Sequence, residues 1–245
     1  MALPSVSTPT YELTLPSEDK KIKFRPFLVR EEKILLMAME SEKTDEVFNA
    51  TKTILDNCTF NILDIENLPL FDIEYIFLKI RSKSIGETAK FKVLCPDDKK
   101  TLVDVEVDIS NIEVNVDDEH TNKIVLDESR NLGVILNYPN MNISKVGTSI
   151  ANAGIETIFD IIISCIDTVF EGEKIYPSKD STKEELREFL DSLSQEAFDK
   201  LKKFFDTMPQ LRHEIEVENP ITKVKSKIVF QGLQDFFPSA SPITA

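Results

Sequence analysis

Two histidines, His120 and His213, are the residues in this sequence best suited to general acid–base chemistry. A serine or cysteine nucleophile in a catalytic triad uses a histidine as its base. His120 lies in the acidic segment 117–121, which is typical of an exposed loop, whereas His213 shares a predicted strand face with Ile215 and Val217, which favours a packing role. The chain has six glycines, no Gly-x-Ser-x-Gly motif and no glycine-rich phosphate loop. The sequence therefore predicts a protein that is not an enzyme, with no catalytic residue.

One turn in the sequence is similar to a zinc-binding knuckle. Cys95-Pro96-Asp97-Asp98 has the spacing of a C-P-x-C zinc knuckle, with Asp98 at the position of the second cysteine. A zinc ribbon needs two knuckles for its four ligands, and the second turn of this kind, residues 218–221, has no cysteine. We therefore predict a vestigial knuckle at Cys95 and Asp98, no bound metal and no cofactor.

The charge and composition of the chain restrict its partners. The 245 residues include 43 acidic and 29 basic side chains, so the net charge is −14. Nucleic acids are bound by clustered basic residues, and the basic runs at 20–25 and 223–227 are short, so we expect no nucleic-acid binding. The apolar stretch 155–170 is too short and too charged to span a bilayer, so we expect no membrane contact. Three widely spaced cysteines and the lack of a signal peptide indicate a cytosolic protein.

Hydrophobic periodicity predicts an α+β fold that contains helices and several antiparallel β-hairpins. Apolar residues at helical spacing predict helices over residues 29–39, 45–57, 71–81 and 155–169. Capping signals predict two more helices. One begins at Ser181-Thr182 and ends near residue 193, and the other begins at Ser194 and ends near residue 207. Alternating apolar residues predict hairpins over residues 11–24, 88–107, 123–136 and 211–230. Two of them, 88–107 and 211–230, resemble zinc ribbons that have lost their ligands.

The order of these elements divides the chain into four segments. Residues 1–10, rich in serine, threonine and proline, are predicted to be an extended arm, for which docking and a free tail are equally supported. Residues 11–140 contain helices and hairpins, and residues 141–237 contain helices and the C-terminal hairpin. Residues 238–245 are predicted to be a disordered tail.

Two groups of apolar side chains are candidates for contacts with partner proteins. Residues 24–39 carry more apolar side chains than one helix face can bury, although burial in the core is the favoured interpretation. The candidates in that segment are Phe27, Leu36 and Met37. The pair Phe236-Phe237 is the second group, for which local packing is favoured because exposed aromatic pairs are rare outside binding sites.

Segments along most of the chain match, in order, those of a known family. They are ALPSVSTPTYELTLPS (2–17), FRPFLVR (24–30) with the helix after it, ILDNC (54–58), LKIRSKSIGE (78–87), Cys95-Pro96, LRHE (211–214) and GLQDFF (232–237). Together they resemble the baseplate hub proteins of T-even-type myophages, small factors encoded with the central hub genes. That family often has paired-cysteine turns in its two ribbon hairpins, and this chain departs from the family there.

The resemblance implies a baseplate hub component or a hub assembly factor of a contractile phage tail, without enzymatic activity. Its partners would be other phage baseplate hub proteins, and the protein would be found in the host cytoplasm during assembly or in the virion tail baseplate. The excess of acidic residues keeps an unassembled subunit soluble and favours the assembly factor. Two alternatives stay open, a decayed zinc-ribbon regulator associated with nucleic acid and a hydrolase that uses carboxylates and His213. The oligomeric state is not predicted.

Overall fold

The computed structural model describes residues 7–41, 43–144 and 154–236. In chain order the elements are β1 (Tyr11–Thr14), β2 (Lys21–Phe24), α1 (Val29–Glu40), α2 (Thr44–Cys58), α3 (Leu70–Ser84), β3 (Thr88–Leu94), β4 (Leu102–Asp108), β5 (Val114–Asn115), β6 (Lys123–Asp127), β7 (Leu132–Leu136), α4 (Met141–Ser144), α5 (Ile155–Cys165), β8 (Ile166–Glu171), β9 (Lys174–Pro177), α6 (Lys183–Asp191), α7 (Gln195–Thr207), β10 (Gln210–Glu218), β11 (Lys225–Gln231) and α8 (Gly232–Asp235). Helices and antiparallel hairpins alternate along the chain, which confirms the predicted α+β class.

The chain folds into two compact units, and the second interrupts the first. The first unit contains the described residues up to Asn115 together with those from Gln210 onward, and the second unit is Val116–Pro209. Antiparallel pairing of β5 with β10, at Leu211 and Val114, brings the two parts of the first unit together. This division differs from the sequence-based one at residue 140, because the pairing joins strands that are far apart in the sequence.

Helix α3 forms the centre of the first unit. Ile76, Phe77, Leu78 and Ile80 are completely buried, and Tyr75 and Ile73 are nearly so. The predicted helix over residues 71–81 is confirmed and extends to Ser84. A helix that is apolar on nearly all sides must be enclosed, which is why α3 is surrounded rather than placed at the surface.

The hairpins of the first unit follow the period-2 pattern of the sequence. The β1–β2, β3–β4 and β10–β11 pairs are antiparallel, and each predicted hairpin is confirmed. In β3, Ala89, Phe91 and Val93 are buried and the lysines between them are exposed. Phe91 packs edge-on against Phe230 of β11, with ring centroids 5.1 Å apart, so the two hairpins share one apolar core.

The second unit is a four-stranded antiparallel sheet, in the order β6-β7-β8-β9, packed against helices. Its core combines one face of the sheet with the apolar faces of α5, α6 and α7, and includes Val134, Leu136, Ile162, Cys165 and Leu201. The two amphipathic helices begin as predicted. Thr182 and Glu185 form a reciprocal capping box at α6, and the Ser194 side chain accepts a hydrogen bond from the Ala197 N–H at α7.

The predicted helix over residues 155–169 is wrong beyond Cys165. The helix ends there, and Ile166–Glu171 continues as β8, which pairs with β7 on one side and β9 on the other. A continuous apolar run does not distinguish a buried helix from a buried strand. Gly172, with a φ of 60°, begins the two-residue loop between β8 and β9, which is typical of a tight hairpin turn.

Gly133 in β7 is required by a cross-strand contact. It lies opposite Phe170 of β8, whose ring covers the glycine backbone. A Cβ atom at this position would overlap with the Phe170 ring and with the carbonyl oxygen of Ile124. Both neighbours belong to the buried sheet, so neither can move without disturbing its packing.

We therefore expect Gly133→Ala to destabilise the second unit by about 1–3 kcal/mol, the usual cost of overpacking. Gly154→Ala is the matched control, because a Cβ atom at Gly154 meets nothing within 4 Å. Its effect should stay below about 1 kcal/mol. Urea unfolding of both variants measures the difference, and equal stabilities would show that the close approach of Phe170 to Gly133 is not a constraint.

Candidate functional site

His120 is part of a polar and aromatic cluster in the second unit, not the exposed loop residue that the sequence indicated. Its Nδ1 is 2.9 Å from Thr207 Oγ1 and its Nε2 is 3.1 Å from the Tyr138 hydroxyl. The ring stacks on Tyr138 and tilts against Phe204, with centroid distances of 5.6 and 5.1 Å. The neighbouring aromatic rings half-bury the imidazole, and this burial lowers the pKa of His120.

The hydrogen bonds of this cluster argue against a nucleophile–base pair. The Thr207 hydroxyl donates to the Lys203 carbonyl oxygen, at 2.9 Å, so its proton is engaged by the backbone. Thr207 Oγ1 then accepts from Nδ1–H of His120, and the Tyr138 hydroxyl donates to Nε2. In this arrangement both imidazole nitrogens hold packing partners. His213, half-buried on β10 opposite Phe230, lies in the other unit.

The two knuckle-like turns of the first unit lie against each other. Asp97 accepts hydrogen bonds from Nδ2 of Asn219, at 3.0 and 3.1 Å, and from the Thr222 hydroxyl at 2.5 Å. Asn219 is 1% exposed, and these bonds lower the pKa of Asp97. The two turns are therefore joined by side-chain hydrogen bonds.

Asp98 stabilises the turn in which it lies. It accepts the N–H groups of Lys100 and Thr101, both at 3.0 Å, and the Thr101 hydroxyl at 2.5 Å. Cys95 is buried, and desolvation followed by the nearby Asp97 and Asp98 charges raises the pKa of its thiol. Within residues 7–41, 43–144 and 154–236, no three His, Cys, Asp or Glu side chains meet in an arrangement that could hold a metal ion.

The other two cysteines are equally unsuited to thiolate chemistry. Burial raises the pKa of Cys58 to about 11 and that of Cys165 to about 12. A thiol acts as a nucleophile or a ligand in its thiolate form, and at neutral pH these groups remain protonated. All three cysteines are free and buried, so they act as small apolar core residues.

Helix α1 has one buried face and one exposed face that carries apolar side chains. Leu35 and Ala38 are buried, whereas Val29, Leu36 and Met37 are 83%, 55% and 58% exposed. The exposed residues recur at i, i+7 and i+8, which places them on one side of the helix. We call this surface the α1 face; its charged members are Glu32, Lys33 and Glu40. Sequence reasoning missed Val29, although the spacing of seven residues from Leu36 was available as a signal.

A buried ion pair fixes the start of α1. Arg25 and Glu31, 6% and 0% exposed, form two hydrogen bonds of 2.9 and 3.3 Å, and Glu31 also accepts the Leu28 N–H. Burial disfavours the charged carboxylate, but hydrogen bonds from Arg25, Arg30 and Leu28 outweigh it and lower the pKa of Glu31 to about 2. The backbone N–H of Arg25 donates to the Cys58 carbonyl oxygen, at 2.9 Å, which ties the same point to α2.

The remaining aromatic candidates have different positions. Phe27 is half-buried, with its ring 5.5 Å from that of Phe77 and its N–H donating to Ser84 Oγ. Phe236 is 1% exposed and packs against Phe230, so its side chain is a core contact. Phe237, together with residues 1–6 of the arm and the tail at 238–245, lies outside the described residues. Of the sequence candidates, Leu36 and Met37 share the α1 face, and Phe27 lies two residues before that face begins.

The fold defines an α+β protein with three buried cysteines and with exposed apolar residues that include Val29, Leu36 and Met37 on one side of α1. The chain matches the family described as T4 bacteriophage base plate protein over residues 8–238, and it belongs to this family. Membership confirms the resemblance to T4-type baseplate proteins. No curated protein and no solved structure matches the chain. None of the helices in the described part of the chain has the length and apolar character needed to span a bilayer.

The Arg25–Glu31 pair generates a stability prediction with a defined pH dependence. The pKa of Glu31 is lowered from 4.5 to about 2 by folding, so the unfolded chain binds more protons between these values. The stabilisation is present above about pH 4.5 and is lost as the pH falls toward 2. Glu31→Gln leaves Arg25 buried without a counter-ion and should cost roughly 3–5 kcal/mol at pH 7.

Urea unfolding at pH 7 and pH 3 measures this effect. The difference between wild type and Glu31→Gln should shrink at the lower pH. Glu12→Gln is the control, because Glu12 is 61% exposed and its partner Lys23 is 3.8 Å away. Equal losses for the two variants at pH 7 would contradict a structural role for the buried pair.

Proposed function

We propose that this protein is a baseplate hub component or a hub assembly factor of a contractile phage tail, and that it acts through protein–protein contacts. Membership of the T4 baseplate family supports a role in the baseplate and association with other baseplate proteins. The proposed role is non-enzymatic, and the proposed partners are hub proteins of the same phage.

The observation that carries the proposal is the α1 face. Val29, Leu36 and Met37 are exposed on a helix whose opposite side is anchored by the buried Arg25–Glu31 pair. Apolar side chains grouped at the surface are typical of a protein-binding site, because association removes them from water. Glu32, Lys33 and Glu40 beside them provide the polar rim that such sites commonly have.

Neither alternative function gains support from the packing of its proposed residues. A nucleic-acid-associated zinc-ribbon regulator would need ligands in the two turns, where Asp97 and Asn219 are hydrogen-bonded to each other. A hydrolase based on His213 would need a nucleophile beside it, and the half-buried His213 faces Phe230 across the hairpin. The net charge of −14 also repels a phosphate backbone.

Quantitative mass spectrometry of purified phage particles and of infected-cell lysate distinguishes the two forms of the proposal. A structural hub subunit should be present at a few copies in every particle. An assembly factor should be abundant in the lysate and missing from the particles, an outcome favoured by the acidic charge that keeps a free subunit soluble. The absence of this protein from both the particles and the lysate would refute the proposed function.

Leu36→Glu tests the α1 face directly. A charge in the centre of an apolar contact should lower the yield of infectious phage by at least about tenfold, as expected when an interface anchor is lost. The yield is measured in cells that supply the variant to a phage with an amber codon in this gene. Ile62→Glu is the matched control, since Ile62 and Leu36 are both 55% exposed in the same unit.

Both variants should melt within about 2 °C of the wild type, because they alter exposed side chains. A normal yield with Leu36→Glu would contradict a contact through the α1 face. Equal losses with both variants would assign the effect to surface charge in general and not to this helix.

A further inference from the structure

Strand β9 forms one edge of the four-stranded sheet in the second unit, and apolar side chains are exposed on both of its faces. It pairs with β8 on one side, and no strand of the described residues lies on its other side. Ile175 is 68% exposed, and Tyr176, which points to the opposite face, is 46% exposed. An open edge of this kind is a template for pairing with a strand of another chain.

The backbone of Ile175 directs its hydrogen-bonding groups toward this open edge. The N–H of Gly172 donates to the Asn131 carbonyl oxygen, at 3.0 Å, so Phe170, two positions earlier, also turns its backbone groups toward β7. Phe170 and its cross-strand neighbour Ile175 are therefore a non-hydrogen-bonded pair. The N–H and C=O of Ile175 point away from β8, and no described residue pairs with them.

A cleft opens on the face of β9 that carries Tyr176. We call it the β9 cleft. Its volume is about 340 Å³, and its apolar lining includes Val169, Tyr176, Leu186 and Phe189. The open backbone edge and an apolar recess thus lie side by side, which is the arrangement that binds an added strand through its backbone and selects it through its side chains.

The charges of the β9 cleft match a side chain that combines an apolar stem with a cation. Arg130 and Glu171 at the cleft form an ion pair, with Nη2 and Oε1 2.6 Å apart, so Glu185 gives the lining one excess negative charge. Lys174 of β9 is exposed, and no carboxylate in the described part of the chain forms an ion pair with it. A lysine has the required stem and charge. The chain therefore carries both the cleft and a side chain that complements it.

We propose that β9 pairs with β9 of a second copy of this chain, antiparallel and about a two-fold axis at Ile175. In this register the N–H and C=O of each Ile175 bond those of the other copy, which closes the open edge. Lys174 of each copy lies directly opposite Tyr176 of the other, beside the β9 cleft. The two sheets become one continuous sheet.

The sequence of β9 is self-complementary in this register. Ile175 meets Ile175, the Lys174 cation meets the Tyr176 ring, and no like charges are directly opposite each other. Pro177, which has no N–H, lies opposite Glu173 in the hairpin loop of the other copy and thus outside the paired strand residues. The inference goes beyond the proposed function, because β9 belongs to the second unit and the α1 face to the first.

Sedimentation equilibrium of the full chain over a range of concentrations tests the pairing. The wild type should associate reversibly into a dimer. Ile175→Lys places two like charges opposite each other at the axis and should lower the association constant at least about tenfold. Ile155→Lys is the matched control, because Ile155 is 60% exposed in the same unit, and it should leave the association unchanged.

Disulfide cross-linking tests the register independently of any loss of folding in the lysine variant. The Cα atoms of the paired Ile175 residues would lie about 5.5 Å apart, within reach of a disulfide. Ile175→Cys should therefore form a covalent dimer in oxidised glutathione, since the three native cysteines are buried. Glu173→Cys is the control, because Glu173 is also exposed but its two copies would lie beyond the roughly 7 Å limit.

The outcomes separate this inference from the proposed function. A dimer that Ile175→Lys weakens and that Ile175→Cys cross-links faster than Glu173→Cys supports the pairing. A wild-type monomer at every concentration, a dimer unaffected by Ile175→Lys, or equal cross-linking of the two cysteine variants overturns it.

Two further results identify a different occupant or surface. A monomeric wild type together with a reduced phage yield for Ile175→Lys would assign β9 to a strand of another protein, and it overturns the pairing between copies. Leu36→Glu should leave the dimer intact, and its loss in that variant would place the dimer contact on the α1 face. The distribution of the protein between particles and lysate, which tests the proposed function, does not depend on any of these results.

Discussion

The buried ion pair between Arg25 and Glu31 joins three elements of the first unit, β2, α1 and α2. Arg25 follows β2 directly, Glu31 lies in the first turn of α1, and the Arg25 N–H bonds the last residue of α2, Cys58. A bidentate pair with additional donors is geometrically restrictive, because each hydrogen bond tolerates little rotation. The orientation of α1, and with it the exposure of Leu36 and Met37, follows from this constraint.

A second constraint acts at the far end of the hairpins. Asp97, Asn219 and Thr222 connect the β3–β4 turn to the β10–β11 turn by hydrogen bonds, and Asn219 is buried among them. Asp97 precedes Asn219 by 122 positions, so these hydrogen bonds connect two parts of the first unit that the second unit separates in the sequence. Side-chain hydrogen bonds therefore connect the two hairpin turns directly.

The described cysteines and His120 are engaged in packing contacts within the two units. Cys58, Cys95 and Cys165 are enclosed, and His120 is held between Tyr138 and Thr207. The exposed apolar side chains of α1, Val29, Leu36 and Met37, lie on the side of the helix opposite its buried residues. The chain belongs to the T4 baseplate family, which implies that it associates with other baseplate proteins of the phage.

Local patterns in the sequence determined the elements whose stabilising contacts are themselves local. The hairpins over residues 11–24, 88–107, 123–136 and 211–230 follow from alternation, and the starts of α6 and α7 follow from Thr182 and Ser194. The apolar residues of 24–39 identified Leu36 and Met37 as candidates, but not which side of α1 would be buried. The exposure of that face depends on the Arg25–Glu31 pair and on packing against α2.

Only the tertiary structure decided the features that depend on distant partners. The run from Ile166 becomes a strand because β7 and β9 flank it, and His120 becomes half-buried because Tyr138 and Phe204 approach it. The boundary at residue 115 exists because β5 pairs with β10. Periodicity reports which face of an element is apolar, whereas the identity of the neighbour that covers it is set by contacts between residues far apart in the chain.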